Sequence, residues 1–157
     1  MRVAVLTVSD AGARGERADT SGDAIAAWAS ARGFVLAMRE LVPDETVHVT
    51  RTLVAWSDGD VADLILTTGG TGLTARDVTP EATRAALEKE APGIAEALRF
   101  AAYAGFPRAA LSRGVAGVRA RTLIVNLPGS PSGVRDGLTV LGGIVEQVDG
   151  RPIDVYL

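Results

Sequence analysis

A chain of 157 residues, 47 % hydrophobic and 22 % charged, has the make-up of one globular domain with a sizeable core. Its formal net charge of −3 disfavours a nucleic-acid partner. With no cysteine, the chain cannot use thiol catalysis, disulfides or cysteine-based zinc sites, which fits a cytoplasmic location, and no apolar run is long enough to span a membrane.

The first run, Val3 to Val8, is a strand buried on both faces, too short and too soon interrupted for a signal peptide. Ser9-Asp10-Ala11-Gly12 follows, opening an irregular charged loop through Arg17. Asp19-Thr20-Ser21-Gly22 offers capping chemistry for a helix from Ser21 to Arg32, with Ile25, Trp28 and Ala29 on one face and Gly33 as its stop. Phe34 to Val42 reads as a strand closed by Pro43-Asp44-Glu45, and Glu45 to Ser57 as a helix with Val49, Leu53 and Trp56 inward. His48 lies in that helix with no second histidine at ligand spacing, so it reads as structural.

Leu64-Ile65-Leu66 is the next buried strand, ending in two threonines and then Gly69-Gly70-Thr71-Gly72. Glycines at this density allow positive φ and close approach of a ligand to main-chain N–H groups. Thr79 is the expected N-cap of a following helix, with Pro80 at its first position and Glu81 in its first turn. The loop lacks the lysine of a Walker A motif. The helix signal at Thr79 comes too late for a dinucleotide fingerprint, whose acidic residue would fall near Glu88 or Glu90, inside the helix.

Helices are expected from Pro80 to Glu90 and from Pro92 to Ala104. A hairpin or tight reversal around Ser112 to Arg121 feeds a buried strand at Thr122 to Val125, which ends in Asn126-Leu127-Pro128-Gly129-Ser130-Pro131. A last helix from Val134 to Gln147 is weakened by Gly142-Gly143, and Asp149 to Leu157 reads as a surface extension. Alternating strands and helices predict a three-layer α/β fold, with a mostly parallel sheet and helices on both faces. Ligands in such sheets bind beyond the carboxyl ends of strands. Ser9-Asp10, Pro43-Asp44, Gly69–Gly72 and Pro128–Gly133 all fall at such ends, which suits an extended ligand carrying phosphate.

These motifs resemble one family. Thr67-Thr68-Gly69-Gly70-Thr71-Gly72 with Arg76-Asp77-Val78-Thr79-Pro80-Glu81-Ala82 is similar to the molybdenum-cofactor biosynthesis domain. So are Val8-Ser9-Asp10, Asp19-Thr20-Ser21-Gly22, Pro43-Asp44-Glu45, Ser112-Arg113 with Ala116-Gly117, and the run from Asn126 to Pro131. Together they span nearly the whole chain in the family's order, and the form from Arg76 to Ala82 is most similar to the molybdopterin adenylyltransferases. The resemblance implies a single MogA-like domain over residues 1–157 that transfers AMP from MgATP to the molybdopterin phosphate and releases pyrophosphate.

By the same resemblance Asp44, Asp77 and Ser112 are catalytic, and Asp44 and Asp77 also hold Mg²⁺. Substrate contacts are expected from Thr7, Ser9, Asp10, Ser21, Thr68, Gly69, Gly70, Thr71, Gly72, Arg76, Arg113, Asn126, Pro128, Gly129 and Ser130. A homotrimer or hexamer and hand-over of product to a molybdotransferase are further implications. The residues leave two alternatives open: a domain that binds molybdopterin without adenylylating it, and a nucleotide pyrophosphatase of the same fold.

Overall fold

The computed structural model describes residues 1–146; the expected surface extension and the last residue of the final helix lie outside that range. Six strands form one mixed sheet in the order β2-β1-β3-β6-β5-β4. They are β1 (Arg2–Val8), β2 (Val35–Val42), β3 (Leu64–Thr68), β4 (Lys89–Glu90), β5 (Ala116–Arg119) and β6 (Thr122–Leu127). The first four in sheet order run parallel, and β5 and β4 add an antiparallel margin. The helices are α1 (Asp10–Ala13), α2 (Thr20–Ala31), α3 (Thr46–Asp58), α4 (Thr79–Ala86), α5 (Pro92–Tyr103) and α6 (Pro131–Glu146). A 3₁₀ turn covers Pro107–Leu111.

Strand side chains alternate between two cores, as the period of two requires. Val3, Val5, Leu64, Leu66, Leu123 and Val125 pack with Ile25 of α2 and Val134, Leu138 and Leu141 of α6. Ala4, Leu6, Ile65 and Ile124 face the other way, against Val49, Leu53 and Trp56 of α3 and Ala82 and Ala86 of α4. Strands buried on both faces explain the unbroken apolar runs read from the sequence. Burying a leucine or isoleucine of this kind contributes about 1.5–3 kcal/mol. At the sheet edge, β2 leaves Val35 61 % exposed, because one side of it has no strand neighbour.

The register brings the parallel strand ends level. Val8 pairs with Val42, Thr7 with Thr68, and Thr68 with Leu127. From β1 the chain goes outward to β2, then returns to place β3 on the opposite side, so the order reverses between β1 and β3. A crevice at such a reversal is where open α/β sheets bind ligands.

Four local expectations are corrected. The helix expected to reach Glu90 stops at Ala86, because Leu87 turns extended (ψ 142°) and Lys89 and Glu90 pair with Val118 and Gly117. A β-carbon on Gly117 would collide with the Lys89 carbonyl, so that margin strand depends on the glycine. Thr79 is not an N-cap: Val78 takes that position without a side-chain bond, and Thr79 is the first helical residue. The last helix starts at Pro131, not Val134, with the Ser130 hydroxyl accepting from the Gly133 N–H at 3.2 Å. The segment after β1 is not wholly irregular, since Ser9 caps the one-turn α1 by accepting from the Gly12 N–H at 3.0 Å. Elsewhere the capping reading holds: Asp19 accepts from the Gly22 N–H at 2.9 Å to start α2. His48 is exposed on α3, 3.5 Å from the Glu45 carboxylate.

Candidate active site

A cavity of about 620 Å³ opens beyond the carboxyl ends of β1 and β3, at the reversal of strand order. Its floor is the glycine loop. Gly69 and Gly70 take φ of 98° and 67°, the left-handed region that glycine enters without cost. A β-carbon on Gly69 would collide with the Val8 carbonyl, and one on Gly70 would collide with the Thr79 hydroxyl and stand 3.0 Å from Asp44 Oδ1. The backbone therefore passes this point only because both residues lack side chains. Thr79 locks the loop by donating its buried hydroxyl to the Gly69 carbonyl at 2.9 Å and its N–H to the Gly70 carbonyl at 3.1 Å.

The acidic groups beside this floor are held in different ways. The Asp10 N–H donates to Asp44 Oδ2 at 2.8 Å, and the Asp44 N–H donates to Asp10 Oδ1 at 3.0 Å, so the ends of β1 and β2 clasp each other. Arg76 completes the clasp with two hydrogen bonds of 2.9 Å to the Asp10 carboxylate. That pairing, with the Asp44 N–H, holds the Asp10 carboxyl below its ordinary range. Asp44 moves the other way: burial pushes its carboxyl up, and repulsion from Asp10 and Asp77 adds to the shift against the Asp10 N–H bond. Burial also pushes Asp77 up, but bonds from the Thr74 hydroxyl (2.7 Å), the Thr74 N–H (2.8 Å) and the Gly72 N–H outweigh it and hold the group low.

Four residues, three of them from distant parts of the chain, fasten this floor. Arg113 donates to the Gly72 carbonyl at 2.7 Å and the Asp77 carbonyl at 2.8 Å, pairs with the Glu81 carboxylate, and gives its N–H to the Thr71 carbonyl at 2.9 Å. Asn126, 4 % exposed, accepts from the Val115 N–H at 3.1 Å and donates to the Thr67 and Thr83 hydroxyls at 2.9 and 3.0 Å. Thr68 and Ser21 donate to the Pro128 and Gly129 carbonyls, each at 2.7 Å, and hold the loop after β6 against the glycine floor.

Beyond that loop lies a second cavity, of about 450 Å³, between α5, α6 and the 3₁₀ turn. Ala95, Leu98, Ala102, Phe106 and Leu127 make its walls apolar. Ser130 lines both cavities and marks where they meet.

The residues expected at the site therefore separate into three groups. Thr7, Ser9, Ser21, Asp44, Thr68, Gly69, Gly70, Asp77, Gly129 and Ser130 line the polar cavity. Ser112, Asn126, Pro128 and, again, Ser130 line the apolar one. Asp10, Thr71, Gly72, Arg76 and Arg113 line neither, and their polar groups tie the loops together. Thr7 spends its hydroxyl on Asp19 at 2.9 Å. Missed by the sequence reading were Arg17 on the polar cavity and Arg99, Arg108 and Asp136 on the apolar one. None belongs to a glycine-rich or strand-end motif, so only the fold assembles them.

Asp44 meets the needs of a cation site. Its Oδ2 is used by the Asp10 N–H, while Oδ1 has no donor among the described residues and faces the glycine floor. No group of three or more potential ligands is found among those residues. The free Oδ1 is an oxygen ligand of the kind Mg²⁺ takes, which uses one or two carboxylates and completes its shell with phosphate and water.

The fold and the two cavities define the class: a three-layer α/β domain with cavities at the carboxyl edge of its sheet. The family model described as a probable molybdopterin binding domain matches residues 4–147, and the chain belongs to that family. Among curated relatives, the molybdopterin adenylyltransferase of Helicobacter pylori (strain J99) is 39 % identical over 142 residues, covering 88 % of this chain and 80 % of that protein. The molybdopterin biosynthesis enzyme MoaB of Thermus thermophilus superposes with a TM-score of 0.87 at 52 % identity, over 96 % of this chain and 98 % of that one. A molybdopterin biosynthesis protein from Mycobacterium abscessus gives a TM-score of 0.90 at 38 % identity, over 99 % and 98 %.

Proposed function

We propose that this protein is a molybdopterin adenylyltransferase of molybdenum cofactor biosynthesis. An oxygen of the molybdopterin phosphate attacks the α-phosphorus of ATP, the bond from that phosphorus to the β-bridging oxygen breaks, and pyrophosphate leaves with the electron pair. The observation that carries this reading is the pair of cavities meeting at Ser130, one floored by a glycine loop with Asp44 and Asp77 on its wall, the other apolar. Apolar walls with a few polar groups suit a flat heterocycle, so the pterin takes that cavity and the ATP phosphates take the polar one. The phosphates then meet near Ser130, held in line for transfer.

Asp44 and Asp77 would hold Mg²⁺, which when bound would neutralise charge on the polyphosphate. Main-chain N–H groups of the glycine loop and the Ser130 hydroxyl orient the phosphates. The Ser112 hydroxyl, which accepts only a 3.4 Å bond from the Gly114 N–H, has its proton free for substrate. Asp10 and Arg76 position Asp44, and Arg113 and Asn126 position the two loops. The working form is a cytoplasmic trimer or hexamer that passes its product to a molybdotransferase. No helix among the described residues is long and apolar enough to cross a membrane.

Incubation with molybdopterin, ATP and Mg²⁺ tests the reading. Equal yields of adenylylated molybdopterin and pyrophosphate are expected. Binding of molybdopterin with no adenylate formed would leave a binding module in its place.

A further inference from the structure

The apolar cavity carries two charged side chains that the proposed reaction does not use. Arg108 comes from the 3₁₀ turn and Asp136 from α6, and both line the cavity. Neither forms a hydrogen bond or ion pair with any described residue, and they do not pair with each other. Arg99, the third charged group there, differs: it donates to the carbonyls of Ser112 at 3.3 Å and Gly114 at 2.8 Å. A ligand entering between these apolar walls covers Arg108 and Asp136, and removing unpaired charges from water is costly unless the ligand brings complementary groups.

We propose that Asp136 is the residue that selects the pterin ring, accepting from its 2-amino group and N3–H, while Arg108 donates to its 4-oxo group. This rests on the adenylyltransferase reading, with the pterin in the apolar cavity. An ionised carboxylate only accepts hydrogen bonds, and its two oxygens match two N–H groups lying side by side. The pterin ring presents such an edge. Adenine does not, because beside its amino group stands the N1 lone pair, which would face a carboxylate oxygen. Both substrates carry flat rings of similar size, so wall shape alone separates them weakly. The carboxylate adds a favourable contact for one and an unfavourable one for the other, which keeps each substrate in its own cavity.

The test uses two small probes: pterin, and lumazine, in which an oxo group replaces the 2-amino group. Calorimetry measures both, with ATP, against the wild-type protein and the folded variants Asp136→Asn, Asp136→Glu and Arg108→Gln. The wild type should prefer pterin to lumazine by about 10- to 100-fold, the range for hydrogen bonds to a charged group. Asp136→Asn should lose most of that preference and Asp136→Glu should keep part of it. Arg108→Gln should weaken both probes alike, because both carry the 4-oxo group, and ATP affinity should stay unchanged throughout. A folded Asp136→Asn protein that still prefers pterin overturns the assignment, and adenylate formation by the wild type shows that the adenylyltransferase reading survives it. A wild-type protein that neither binds pterin nor forms adenylate overturns both.

Discussion

The two cavities are built on opposite plans. In the polar one the groups that hold the floor are bonded to other protein groups: Asp10 to Arg76 and Asp44, Asp77 to Thr74, Thr79 to both glycine carbonyls. In the apolar one Arg108 and Asp136 have no partner among the described residues, while the frame behind them is tied through Arg99 and Asn126. A site that must hold phosphates for attack gains from a fixed frame, since dipoles already aimed cost no reorganisation during reaction. A site that must tell one ring from another gains from groups whose bonds only the right ring completes.

Changes to the floor should have the largest effects. Gly69→Ala places a β-carbon against the Val8 carbonyl at a positive φ, and urea unfolding should show a loss of more than about 4 kcal/mol. Next comes Asn126→Leu, which strips the Val115 N–H of its buried acceptor and the Thr67 and Thr83 hydroxyls of their donor. It should cost about 3 kcal/mol by the same measurement. Asp44→Asn and Asp77→Asn should each lower turnover roughly 10²-fold, as removal of a strong electrostatic stabiliser does, while molybdopterin affinity changes little. Near-normal turnover in both would remove the metal role assigned to them.

The apolar cavity should behave differently. Ala102→Phe fills it from a half-buried position of α5. Stability should stay within about 0.5 kcal/mol, while molybdopterin affinity falls at least about tenfold. The smallest effect concerns pH. Asp44 is held above its ordinary value, so its charge costs stability once pH rises through the folded value and costs nothing in acid. Asp10 and Asp77 are held below theirs, so they stabilise at neutral pH and lose that contribution as pH falls through their folded values. Asp44→Asn should therefore melt higher than wild type near pH 7, with the gain vanishing in acid. Asp77→Asn should melt lower near neutral pH. Opposite signs in melting with similar losses of turnover would separate the two carboxylates.

Much of this architecture was legible in the residues. Runs such as Leu64-Ile65-Leu66 and Thr122-Leu123-Ile124-Val125 marked buried parallel strands because both faces are covered. Glycine density marked the floor, since positive φ has a residue signature. Lys89-Glu90 was misread because local pattern favours helix there, while its strand exists only through pairing with β5. Thr79 was read as a cap from its neighbours, whereas its hydroxyl goes to Gly69, ten positions back. Arg76 and Arg113, expected from the sequence among the substrate contacts, are engaged with protein groups in the fold. Arg108 and Asp136 carry no motif at all; a helix face and a short turn from different segments bring them to one wall.

Arg113 has a consequence for the order in which the molecule assembles. The glycine loop is complete in sequence by Asp77, yet its clamp arrives 36 to 41 positions later, after two helices and the 3₁₀ turn. A chain leaving the ribosome therefore carries the loop for a time before anything can fasten it, and loop closure over that span must come first. The floor of the polar cavity should set late. Weakening the clamp with Arg113→Lys should then speed unfolding while leaving the folding rate nearly unchanged.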